Sequence, residues 1–185
     1  MNLYLMNKRF ILIPLLIMIF SFINSCDEHV DDLLTFDSEE YCVEFTIDPL
    51  DRAGLHIFTE EALQSDLDSL MEANGVTKEK LESAHLKDAK VEIMNSNESL
   101  NFDILDLVKF TLYTDSLGES TVAEIDSIPK GVRILNLEVY GEDVQAFLYD
   151  DTYIFSAKGL LNARTFEIME LRAKFTFQFK TSLKK

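Results

Sequence analysis

From Met169 to Lys180 apolar and polar residues alternate for about twelve positions without a fault. Met169, Leu171, Ala173, Phe175, Phe177 and Phe179 fall on one side, and Glu170, Arg172, Lys174, Thr176, Gln178 and Lys180 on the other. A helix would scatter this pattern around its circumference, whereas a strand sends successive side chains to opposite faces. The stretch therefore reads as a long strand with one buried and one wet face, and such a strand needs a second layer to cover its apolar side. The wet face is mostly basic, which predicts acidic neighbours, each cross-strand pair contributing roughly 0.2–1 kcal/mol.

Shorter segments repeat the period. Tyr41, Val43, Phe45 and Ile47 share a face, with Cys42 opposite them beside Glu44 as a half-buried structural thiol. Ala89, Val91 and Ile93 alternate with Lys90 and Glu92, and Val108, Phe110 and Leu112 alternate with Lys109, Thr111 and Tyr113. Further strands are predicted at Thr121–Asp126, Val132–Tyr140 and Thr152–Leu161, and a helical turn within 141–149. One helix is predicted: Thr59 caps it, Leu63, Leu67, Leu70 and Met71 line its apolar face, and Asn74-Gly75 stops it. About seven strands separated by turn signals, with one amphipathic helix near the N-terminal side, predict a mainly β fold, an antiparallel β-sandwich over residues 41–185.

The start of the chain has a different character. Lys8 and Arg9 precede an apolar run, Phe10–Ile23, that is shorter than the ~20 residues of a membrane-spanning helix and contains Pro14. This is the layout of a secretory signal over residues 1–25, with Met1 or Met6 as the start. Ile23-Asn24-Ser25-Cys26 resembles the lipobox of bacterial lipoproteins. The resemblance implies cleavage before Cys26, acylation of its thiol and new amino terminus, and attachment to a membrane through those acyl chains. Asp27 and Glu28 directly after the cysteine resemble the export signal of Bacteroidota-type surface lipoproteins. That implies an outer-membrane lipoprotein exposed at the cell surface; a periplasm-facing protein with a merely solvated acidic tether, residues 26–40, is the alternative. The order of tether, strand, helix and strands is similar to that of small Bacteroidota-type lipoproteins, and the similarity carries over no site residues.

Two of the 17 basic residues, Lys8 and Arg9, lie in the leader and none of the 33 acids does, so residues 26–185 carry a net charge of −18. That balance offers no electrostatic footprint for nucleic acid. With Cys26 acylated, Cys42 has no disulfide partner in its own chain.

His29, His56 and His85 match no metal-binding spacing. Asp48 with Asp51, Asp103 with Asp106, and Asp150 with Asp151 lack a calcium-loop pattern. No serine sits in a nucleophile elbow, and no glycine-rich phosphate loop is present. Tyr113, Tyr140, Tyr149 and Tyr153 are candidates for exposed rings near strand ends. The sequence thus points away from an enzyme and implies no cofactor or metal. It points to a lipid-anchored protein that binds or assembles with another envelope or extracellular component, protein or glycan. The alternative is a carrier holding a small apolar ligand or glycan in a cleft between sheet and helix.

Overall fold

The computed structural model describes residues 33–49 and 52–182. The signal-like leader, Ile23, Asn24, Ser25, Cys26, Asp27, Glu28 and His29 lie outside the described residues. Among the described residues ten strands form two antiparallel sheets, which is the β-sandwich that the alternation predicts.

The strands are β1 (Leu33–Asp37), β2 (Tyr41–Ile47), β3 (Gly54–Gln64), β4 (Leu81–Ile93), β5 (Leu105–Thr114), β6 (Gly118–Ile125), β7 (Ile134–Asn136), β8 (Glu138–Val139), β9 (Thr152–Leu161) and β10 (Met169–Ser182). Two short helices are α1 (Leu67–Ala73) and α2 (Gln145–Tyr149). The first sheet centres on β10. It has β1 and β2 in series along one side, and β4 followed by β7 on the other. The second sheet runs β3-β9-β5-β6-β8.

β10 is built as its alternation requires. Its six apolar residues from Met169 to Phe179 are all buried. Tyr41 stacks on Phe175 at 5.3 Å, and Phe155 of the other sheet meets Phe175 at 4.7 Å, so aromatic rings knit the two layers. The wet face also matches expectation. Arg172 bonds Glu44, Lys174 reaches Glu92 at 3.1 Å, and Lys90 lies 3.5 Å from the same carboxylate. Glu92 carries this net effect: burial raises its pKa, but Lys174 and Lys90 outweigh it and hold the carboxyl below its ordinary value.

Five local expectations are corrected. The stretch from Thr59 to Gln64 is strand, not helix: it belongs to β3 and pairs with β9 through Leu63↔Tyr153. A bulge inserts Phe58 as an extra residue between the pairs Ile57↔Lys158 and Thr59↔Ala157 and breaks the period, which hid the strand. The helix begins only at Leu67, buries Leu67 and Met71, and ends as expected at Asn74-Gly75. There Gly75 takes φ 69°, with Val76 N–H bonded to Met71 O and Gly75 N–H to Glu72 O, the paired bonds of a Schellman stop. Within the acidic stretch read as tether, Leu33–Asp37 forms β1 on β10, with Phe36 stacked on Phe179 at 5.5 Å. The segment read as one strand from Val132 to Tyr140 divides: β7 pairs with β4 in one sheet and β8 with β6 in the other, with buried Leu137 at the crossing. Cys42 is exposed rather than half-buried, and Tyr153 is buried rather than exposed.

Strand direction gives the domain two distinct ends. Ile47, Gly54, Ile93, Leu105, Leu161 and Met169 lie at one end, joined by the loops 48–53, 94–104, 126–133 and 162–168. Leu33, Leu81 and Ser182 lie at the other, where α1 and α2 pack.

Candidate functional site

The loop end is where the exposed apolar residues gather. In the first sheet Ile134 pairs with Glu92, Met94 follows two residues on along the same face, and Asn95 Nδ2 bonds Ile168 O at 3.1 Å. Register thus brings Ile134, Met94 and Ile168 together, all exposed. In the second sheet Leu55 and Leu160 are direct partners, and Ile57 lies two residues beyond Leu55. Phe166, at the tip of the 162–168 loop, is 81% exposed. Exposed single apolar residues are ordinary, whereas a concentration of them at one end is the feature that marks interaction surfaces.

Two anchors shape this end. Arg133 donates to four backbone carbonyls: Asn97 O at 2.5 Å, Asn95 O at 2.6 Å, Leu100 O at 2.9 Å and Ile93 O at 3.3 Å. Its planar, five-donor fork is what lets one side chain hold a whole turn in this way. The 162–168 loop is tied down by Thr165, whose hydroxyl donates to Asp48 O, and by Asn97 Nδ2, which donates to Glu167 Oε2 at 3.0 Å. Between the anchored loops lies a cleft of about 190 Å³, lined by Leu100, Ile104 and Met169 with Asn101, Arg164 and Phe166 around it. A wider depression, about 520 Å³, runs beside it over Thr46, Met94, Glu170 and Arg172.

The carboxylates considered for calcium serve the loops instead. Asp103 Oδ1 accepts from Gly131 N, Asp106 Oδ1 from Asn162 Nδ2, and Asp150 Oδ2 from Ser116 Oγ. Asp51 lies outside the described residues. His56 Nε2 contacts Arg52 O and His85 Nδ1 contacts Glu142 O, both backbone partners. Among the described residues no three His, Cys, Asp or Glu side chains converge as a metal site. Of the tyrosines, Tyr140 and Tyr149 are exposed but apart: Tyr149 donates to Lys78 O beside α2, whereas Tyr140 adjoins β8. Tyr113 is half-buried and donates to Asp115. They form no common platform.

The most perturbed groups sit inside the sandwich. Tyr41 donates to Asp66 Oδ1, and burial, reinforced by that carboxylate, pushes its pKa far up. Burial first and Asp66 second raise Tyr153 as well. Both phenols stay protonated, and Tyr41 ties Asp66, the residue before α1, to the core. The apolar loop end itself was missed by the sequence reading. Its only signal, Phe166-Glu-Ile168 between two strands, shows no period. Comparison with protein-family models, curated proteins and solved structures finds no match.

Proposed function

We propose that the chain is a lipid-anchored, non-enzymatic surface lipoprotein that binds another envelope or extracellular component through its loop end. The observation that carries this reading is the polarity of the domain. The described chain begins at Leu33, paired with Ser182 at the helix-bearing end, while Phe166, Ile168 and Leu55 are exposed at the opposite end. Acylation of Cys26, the residue that the lipobox-like Ile23-Asn24-Ser25 precedes, would hold the first end toward an outer membrane and turn the apolar end outward. Asp27 and Glu28 then act as the export signal. More than one acyl chain gives stable anchoring, since each buried CH₂ contributes about 0.8 kcal/mol.

The cleft of about 190 Å³ falls below the ~300–1,000 Å³ of small-molecule sites and suits a single anchoring side chain of a protein partner. The space between sheets and α1 is filled by Leu67, Met71, Tyr153 and Phe177, which weighs against a sheet–helix carrier.

The test is a photo-crosslinking amino acid placed at Phe166 and, as control, at Leu117, which is exposed in the turn leading into β6 at the helix-bearing end. In intact native cells, a defined adduct from position 166 and none from 117 is expected. Equal labelling from both positions, or none from either, overturns the reading. Cys26→Ala is expected to abolish palmitate incorporation and release the protein from the envelope.

A further inference from the structure

The two long flanks of the sandwich are not alike. On one, the segment 134–145 joins the sheets: β7 pairs with β4, β8 pairs with β6, and Leu137 N–H and Val144 N–H bond Ala89 O and Ala84 O of β4. On the other, β2 and β3 end their sheets with no strand beyond them among the described residues. Open edges are aggregation templates, and proteins blunt them with bulges and inward charges. β3 carries both, a bulge at Phe58 and Glu61 opposite the core residue Phe155. β2 carries neither. It is seven residues long, keeps an unbroken register with β10, and contains no proline and no charge on its inner face.

The register identifies which backbone groups are free. Glu170 O accepts from Met94 N, so Glu170 faces β4. Bonding direction alternates along a strand, so Met169, Leu171, Ala173 and Phe175 face β2. Their partners are Ile47, Phe45, Val43 and Tyr41. The N–H and C=O groups of Cys42, Glu44 and Thr46 therefore point away from the sheet, a ready acceptor for an added strand.

We propose that the free edge of β2 binds an extended segment of a partner protein in which basic and apolar residues alternate. Charge selects that occupant. Residues 39–64 contain seven acids and one arginine. Glu39, Glu60 and Glu61 have no ion pair among the described residues. A strand added here places alternate side chains beside Cys42, Glu44 and Thr46 on the wet face, where a cation meets Glu44 at Oε2, Arg172 being bonded to Oε1. The remaining side chains lie toward the Phe45–Phe58 stack, rings 6.2 Å apart, that closes the gap between the sheets. A second copy would bring Glu against Glu or set two domains of high like charge edge to edge.

The probe is a nine-residue peptide alternating lysine and valine, with its glutamate–valine counterpart as control. Amide hydrogen exchange is measured on the full chain in detergent. The lysine peptide is expected to slow exchange in the 42–46 segment at least tenfold, and the glutamate peptide to leave it unchanged. Thr46→Pro removes an outward N–H at an edge position that tolerates proline. It is expected to weaken binding at least tenfold, while Thr46→Val, which keeps the N–H, binds as the native chain does. Glu44→Lys, a second variant on the wet face, is expected to weaken it severalfold. Equal binding of both peptides, unchanged binding by both Thr46→Pro and Glu44→Lys, or concentration-dependent protection of the same amides without peptide would each overturn the proposal, the last by making a second copy the occupant.

Discussion

Phe177→Ala is the sharpest probe of how β10 holds the two sheets together. Phe177 has no exposed surface and meets the rings of Tyr41, Tyr153, Phe175 and Phe179 at 5.6, 6.5, 5.7 and 6.5 Å. A buried Phe→Ala change costs about 3–5 kcal/mol in transfer and cavity terms. Four rings from both sheets cannot all collapse inward, so the upper half of that range applies. With urea slopes of ~1–3 kcal/mol/M, a loss of about 4 kcal/mol moves the unfolding midpoint down by roughly 2 M. It also lowers the melting temperature by about 10 °C, at ~2–4 °C per kcal/mol for a domain of this size. The neighbouring control is Gln178→Ala: that side chain faces the other way and bonds only the exposed Asp37, so a change within about 0.5 kcal/mol is expected. Equilibrium urea unfolding followed by tyrosine fluorescence and far-UV circular dichroism reads both. Comparable shifts for the two variants would refute the face assignment, because a one-residue slip exchanges buried and wet sides.

Other perturbations address particular contacts. Arg133→Lys is expected to loosen the 94–100 turn, since an ammonium cannot serve four carbonyls at once, and to raise amide exchange there while the sheets stay protected; unaltered exchange in that turn would count against the anchor. Gly159→Ala places a methyl against the Phe58 ring and 2.8 Å from Leu107 O. It should cost about 1–3 kcal/mol by overpacking, measured as a urea midpoint shift, and a neutral result would mean that both the Phe58 ring and the β5 backbone at Leu107 give way. Because the folded-state pKa of Glu92 is depressed, its contribution is present above the ordinary value of 4.5 and is lost as pH falls through the lower folded value. Stability of Glu92→Gln should therefore differ from the native chain at pH 7 and converge with it at strongly acid pH; a constant difference would show that charge is not the cause.

The strands with a clean period were legible because alternation and burial are the same fact seen at two levels. β10, β2 and β4 place their apolar residues inside as their sequences dictate, and the basic wet face of β10 meets Glu44 and Glu92. β3 was not legible because one extra residue at Phe58 scrambles its period, and Leu63 falls at helical spacing from Leu67, Leu70 and Met71 of the true helix, so the stripe reads as starting a turn early. β1 lay hidden among acids, and only its pairing with β10 makes it a strand. In 132–140 the extended conformation was readable, but not the switch at Leu137, since pairing partners leave no mark on local sequence. The role of Arg133 was equally invisible, because its acceptors are backbone carbonyls that every residue possesses. The loop end follows the same logic: Phe166 gives no sign of being exposed until the strands on either side of it are placed.

The arrangement of β1 has a mechanical consequence. β1 runs antiparallel to β10 and starts at the C-terminal end of that strand, Leu33 opposite Ser182. A pull on the chain before Leu33, resisted at the 162–168 loop, is directed along both strands rather than across them. The β1–β10 hydrogen bonds are then sheared together instead of being unzipped one at a time. Sheared ladders resist rupture better than peeled ones, so the β1–β10 pairing acts as a clamp on a domain tugged between its two ends.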